Sequence, residues 1–296
     1  MQVHAPDETP TRPLATPWDE YREQLLPAWS KLLAANPAER QVQDFLEDNP
    51  CLLPGGFGEY GSGGHHGPTL GGVYREAPLQ GIGKRRRPDF MWVTRATALI
   101  TPVCIEIEKP GKRWFKESGR PTSHFTDALD QLTDWKVWFA EPANQAIFRR
   151  QYLADRWANR ALAPQFILIY GRADEFGANS THRNPSALRL KRDFMRRSDE
   201  SFMSFDSLVP KSNYADMITL SMTSDGPNVW RVPPTFTTGP FTMDVAKFVD
   251  LPMEALTRET RITDARKQYL AGRWEHWRTQ ANAPDGKGPY QPSRGE

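Results

Sequence analysis

Three strand-like runs follow one another closely between residues 72 and 108: GVYREAPL (72–79), RPDFMWVT (87–94) and ALITPVCIEIE (98–108). Each is rich in aromatic and β-branched residues and ends at a short turn, which commits this stretch to neighbouring strands of one sheet. Helical patterns flank it. NPAERQVQDFLEDNPCLL precedes it, with Asn36 as cap, Pro37 at the first helical position and Asn49-Pro50 as the stop. TSHFTDALDQLTDWKVWF (122–139) follows as an amphipathic helix, and a second helix is expected over 145–159. QFILIYG (165–171) is a compact apolar run, read as a strand buried on both faces. From residue 37 the order is helix, three strands, helix, strand, which predicts an α/β fold with a mixed central sheet.

The remainder is less regular. Residues 1–15 are Pro-rich and expected to be disordered. A helix over 16–36 has Thr16 to cap it, Pro17 in its first turn, and Pro27 to kink or break it. The glycine-rich stretch 54–72 reads as a flexible surface loop. Beyond 172, SALRLKRDFMRR (186–197) suits a basic helix, MITLSMT a strand, and VPPTFTTGPF a linker; a last helix is expected over 258–279. The division is a core of 37–210, an extension of 211–280 and a disordered tail of 281–296.

Cys51 and Cys104 form no CxxC pair, which argues against a zinc site or a disulfide framework. The polar N-terminus is unlike a signal peptide, and no apolar run reaches the roughly 18–20 residues of a membrane span. A cytoplasmic protein is expected by elimination.

The strands carry unusual acids. Glu106 and Glu108 share one strand face with Cys104, while Val103, Ile105 and Ile107 share the other. Two such carboxylates, about 6–7 Å apart, can flank a divalent cation, and Asp89 from the neighbouring strand can supply a third oxygen. Carboxylate oxygens suit Mg²⁺ or Mn²⁺ better than the few scattered histidines suit zinc. The bland alternative is pairing of these acids with nearby Arg or Lys. Charge is unevenly distributed: the net charge is only +2, yet residues 81–120 hold ten Lys and Arg against four acids. Such an excess suits a polyanion, with Arg85, Arg86, Arg87, Lys112, Arg113 and Lys116 available for phosphates. Glu39 lies either on the buried face of its helix or in a capping box with Asn36. Gln131 is a polar residue on the packing stripe Ala128, Trp135, Trp138. Trp114, inside the basic loop, either stacks on a base or anchors that loop.

Asp at a strand start, with Pro88 before it, then Glu-x-acid on the next strand, resembles the PD-(D/E)XK nucleases. ERQVQDFLEDNPCLL, RRPDFMWV, CIEIEKP, SGRPTSHFTDALDQLTDW and FMSFDSLV together resemble the nuclease domain of Shedu anti-phage defence proteins, over roughly residues 37–210. The resemblance implies a restriction-endonuclease-like αβββαβ core. It implies Asp89 and Glu106 as metal-binding acids, Glu39 as an accessory acid and Gln131 as the glutamine of the following helix. It further implies a Mg²⁺- or Mn²⁺-dependent DNA endonuclease assembled as a homo-oligomer. The chain departs from the pattern where E-x-K places its lysine, for Glu108 stands there. The lysine's role of orienting and deprotonating water then falls to Lys109, to Lys112 or to Glu108 itself. Two other classes stay open: a nucleic-acid-binding sensor without hydrolysis, and an oligomerisation module using Trp274 and Trp277 of the last helix.

Overall fold

The structure, a computed structural model, describes residues 12–83, 86–178 and 180–282. Most of the two ends expected to be disordered, and Lys84 and Arg85 of the basic run, lie outside the described residues. In chain order the elements are α1 (Trp18–Ala34), α2 (Glu39–Asp48), β1 (Pro68–Arg75), β2 (Phe90–Arg95), β3 (Leu99–Ile107), α3 (Ser123–Ala140), α4 (Pro142–Tyr152), β4 (Ala161–Leu162), β5 (Gln165–Ile169), α5 (Pro185–Met195), β6 (Glu200–Met203), β7 (Ile218–Thr223), β8 (Gly226–Arg231), α6 (Pro240–Ala246), α7 (Met253–Arg258) and α8 (Asp264–Ala281). The fold is α/β with one mixed sheet.

The strands run β6-β5-β3-β2-β1-β7-β8, and the short β4 pairs with β3 beside β5. β2 is antiparallel to both β1 and β3, while β5 is parallel to β3. Side-chain alternation divides the interior into two cores. Ile105, Ile107, Ile167 and Ile169 face α1 and α2. Met91, Cys104, Phe166 and Leu168 belong to the other core, which includes α3, α4 and the C-terminal helices. The QFILIYG strand is therefore covered on both faces, as its continuous hydrophobicity requires.

Several expectations are corrected. Helix α1 runs unbroken through Pro27, because Tyr21, Leu25, Trp29 and Leu33 form one buried stripe at four-residue spacing. Burying each contributes about 1.5–3 kcal/mol, which outweighs the roughly 3 kcal/mol cost of an internal proline. Thr16 does not cap this helix; Pro17 precedes its first residue. Asn36 is not the cap of α2 either. It adopts a left-handed conformation (φ 48°) just after α1, and α2 begins at Glu39 with Gln41 accepting from the Ala38 N–H at 2.9 Å. The stop at Asn49-Pro50 is as expected. Helix α4 starts at Pro142 and ends at Tyr152, earlier than 145–159 at both ends.

The segment 54–72 is not a loose surface loop. Its last residues form β1, and Pro54, Gly55, Gly63 and Gly64 are buried. The glycines serve close approach: a Cβ on Gly63 would lie 2.2 Å from Thr101 Oγ1, and one on Gly55 (φ 101°) would lie 2.7 Å from Val103 Cγ1. Glu59 ties the turn, accepting from the Gly55 N–H at 2.8 Å and from the Tyr214 hydroxyl at 2.6 Å. VPPTFTTGPF is not a linker, since Val232–Phe236 are buried, and β8, α6 and α7 went unanticipated. Trp274 and Trp277 pack into the core, which removes them as a contact surface.

The glycine placement is testable. Gly55→Ala is expected to destabilise by about 2–4 kcal/mol, combining left-handed strain with overpacking against Val103. Gly71→Ala, where the added methyl meets open space, should cost only about 1–2 kcal/mol of strain. Urea denaturation of both variants measures the difference.

Candidate functional site

Strand β3 is flanked by β2 and β5, so its C-terminal end lies at the middle of the sheet. Phe90 pairs with Ile105 and Met91 with Cys104. Continued by one residue, this register sets Asp89 beside Glu106, both on the α3 side of the sheet. Asp89 is locked in place: its Oδ2 accepts from the Ile107 N–H at 2.8 Å, and its carbonyl accepts from the Glu76 N–H at 2.7 Å. Glu106 is 6% exposed, and its Oε2 is buried with no hydrogen-bond partner among the described residues.

Burial raises the pKa of both groups, Asp89 to about 7 and Glu106 well above the usual carboxylate range. The Ile107 N–H opposes the rise at Asp89, while Glu39 and Glu108 add to it. At Glu106 the second cause is the charge of Asp89 itself. The two carboxyls lie close enough that the charge on each opposes ionisation of the other. No described Lys or Arg pairs with either of them, so the bland alternative of cationic neutralisation does not hold for this pair. A partnerless buried oxygen and two mutually repelling carboxyls fit a site for a small hard cation.

Glu39 opens α2 at the head of the stripe that buries Val42, Gln43, Leu46 and Glu47; it is itself exposed at the helix start and lies beside Glu108. Its pKa is raised by desolvation and by Glu108, and lowered by Lys112. The capping-box reading with Asn36 fails, whereas the approach of Glu39 to the acids is present. Glu108 lies just past the end of β3, where its N–H donates to the Ile169 carbonyl at 3.0 Å, and its carboxylate pairs with Lys112. No group of three or more His, Cys, Asp or Glu among the described residues is arranged to hold a metal. Asp89 and Glu106 thus form a pair, and Glu108 is drawn instead to Lys112 and Glu39. Lys109 lies beyond the last strand residue, so strand alternation does not set its direction.

Gln131 is half-buried on α3. Phe125 packs near Tyr170 and Trp135 near Phe166 (ring centroids 5.7 and 6.5 Å), so α3 runs antiparallel to β5. Gln131 falls between those contacts, level with Leu168, the residue that pairs with Glu106.

The cationic residues separate. Arg86 is bound to Asp134 at 2.6 Å, and Arg87 lies 3.7 Å from Glu76. Lys112 belongs to Glu108. Arg113 and Lys116 are exposed, with Arg113 donating to Thr181 Oγ1 at 2.7 Å. Arg85 lies outside the described residues. Trp114 is fully buried among Phe125, Tyr170, Phe176 and Phe202, so it anchors the loop and cannot stack on a base. His65, His66 and His124 are exposed.

Sequence reasoning missed Glu175. Its buried carboxylate accepts from the Trp114 and Phe115 N–H groups at 2.8 and 2.9 Å, and His182 Nε2 lies 3.0 Å away. It pins the basic loop next to the acids. Between this loop and the segment after β5 opens a cleft of about 330 Å³, lined in part by Lys112, Arg113, Arg172, Asp174 and Thr181. Nothing in ADEF distinguishes its glutamate by spacing, and only the fold reveals the role.

A family model described as Shedu protein SduA, C-terminal, matches residues 36–209, a span that contains Glu39, Asp89, Glu106, Glu108, Lys112 and Gln131. No curated protein matches the chain.

Folding raises these carboxyl pKa values, so the folded chain binds more protons than the unfolded one between about pH 4 and about 7. Their contribution to stability is present below the unfolded value and is lost as pH rises. In EDTA, Glu106→Gln is therefore expected to melt above wild type at pH 8, with the gap closing toward pH 4. Thermal denaturation across pH checks this, and a gap that widens on acidification would refute it.

Proposed function

The chain belongs to the Shedu family, and from that membership we propose that it is a metal-dependent DNA endonuclease acting in anti-phage defence. The observation that carries the reading is the convergence of Asp89 and Glu106, without a cationic partner, at the end of two central strands. The order α2, β1–β3, α3, β5 supports a restriction-endonuclease-like core around them. No helix among the described residues is long and apolar enough to cross a membrane.

Asp89 and Glu106 would hold Mg²⁺ or Mn²⁺. When bound, the cation supplies charge neutralisation at the scissile phosphate and makes water at the site more acidic. The chain's own groups do the rest. Glu108, fixed by Lys112, accepts a proton from the attacking water. The water oxygen bonds phosphorus, the bond to the bridging oxygen breaks, and the departing oxygen takes a proton from a solvent water, while the proton held by Glu108 returns to solvent. Lys112 takes the orienting part that the E-x-K lysine would have played. The ion pair with Glu108 favours Lys112 over Lys109. Glu39 shares in this acid–base group through Glu108. Arg113 and Lys116 contact backbone phosphates, which gives binding without sequence readout.

The departure at Glu108 keeps one alternative: a nucleic-acid-binding sensor that no longer hydrolyses. Plasmid DNA incubated with the chain and Mg²⁺ or Mn²⁺ distinguishes them. Cleavage abolished by EDTA is expected, and salt-sensitive binding without any cutting would select the sensor.

Asp89→Ala and Glu106→Ala should each abolish cleavage with circular dichroism unchanged. Lys112→Ala should slow it by about 10²–10³, while Lys109→Ala leaves the rate near wild type. At pH 8, added Mg²⁺ should raise the melting temperature of wild type but not of Glu106→Gln. Equal stabilisation of both proteins would place the cation elsewhere.

A further inference from the structure

Helix α5 carries a surface that neither the cores nor the acid site uses. None of its side chains is fully buried. Its inner face is fixed to the loop bordering the site: the Arg192 guanidinium lies over the Trp114 and Phe176 rings (5.2 and 5.1 Å), and Lys191 Nζ donates to the Gly119 carbonyl at 2.7 Å. The outer face presents Leu190 and Phe194, one turn apart and 58% and 86% exposed. Folding alone gives no reason to expose a phenylalanine this fully.

Arg189 and Arg196 flank that apolar ridge, both exposed and both without an acidic partner among the described residues. The helix has a single acid, Asp193, which Arg192 holds at 2.8 Å. Arg189 lies within the helix, one residue before Leu190, and Arg196 is its C-cap, two residues after Phe194, so the ridge has a cation at each end. The adjoining loop continues the positive surface through Arg113, Lys116 and Arg120, all exposed. A protein partner would have to bury two unneutralised guanidiniums along with the ridge, whereas a polyanion uses both features together.

We propose that α5 is a second nucleic-acid contact surface, with Arg189 and Arg196 on phosphates of one strand and Phe194 against bases of an unstacked segment. This rests on the reading of the Asp89–Glu106 site as a nuclease centre. The surface would hold the strand beyond the point of cleavage and add affinity without adding sequence preference.

The test measures fluorescence anisotropy of the full-length chain in EDTA, with a labelled duplex and its separated strand, across a salt series. The double variant Arg189→Ala/Arg196→Ala should bind on the order of tenfold more weakly, with the log K against log salt slope reduced by about two. Phe194→Ala should weaken single-strand binding on the order of tenfold and duplex binding less. If both variants bind like wild type while Arg113→Ala/Lys116→Ala binds more weakly, α5 is not a contact surface and the nuclease reading survives. If unsubstituted protein binds neither probe, both readings fall. A loss of oligomeric mass in Phe194→Ala by light scattering would assign the ridge to a protein contact and overturn the proposal.

Discussion

The register between β2 and β3 is the constraint on which the site depends. Phe90 opposite Ile105 and Met91 opposite Cys104 put two apolar sets on their proper sides of the sheet. A slip of one residue would turn each set to the wrong face, exchanging one core for the other. The same register, carried one step further, brings Asp89 and Glu106 together. Hydrophobic burial along two strands thereby enforces an electrostatically unfavourable approach at their end, with Asp89 held there by the Ile107 N–H. Stability elsewhere in the sheet sustains local repulsion that a functional centre can exploit.

Much of the central architecture was legible because it rests on periodicity. The runs holding Phe90–Arg95 and Leu99–Ile107, the doubly covered Gln165–Ile169 and the capped α3 all follow from side-chain alternation or helical spacing. The pairing of Asp89 with Glu106 was legible for the same reason. Features that depend on distant contacts were not. Pro27 reads as a break until the four-residue stripe around it meets the sheet. Glycines 55–72 read as slack until Thr101 and Val103 are found against them. The tie between Glu108 and Lys112 spans a turn whose geometry no strand or helix period supplies.

Two unlike forces organise the surroundings of the acids. The loop 109–121 is rich in Lys and Arg, yet it is held rigidly from beneath by Trp114 in an aromatic cluster and by Glu175 accepting two consecutive backbone N–H groups. Asn36, at the corner between α1 and α2, packs closely over Gly111 of this loop, where a Cβ would lie 2.3 Å from Asn36 Oδ1. That contact brings the start of α2, and with it Glu39, toward Glu108. The position of an exposed acid is thus determined by a glycine in another segment. The cations of the loop gain a fixed geometry without being buried themselves.

The strand β7 pairs with β1 in parallel, through Gly72–Ile218, Val73–Thr219 and Tyr74–Leu220, and β8 then closes that side. The span matched by the family ends before β7 begins. A chain truncated at that boundary would therefore keep the acids but leave β1 with a raw, apolar edge of unsatisfied N–H and C=O groups. Such an edge recruits other strands, so the shortened chain would be prone to aggregate. The last third of the molecule acts as the selvedge of the sheet.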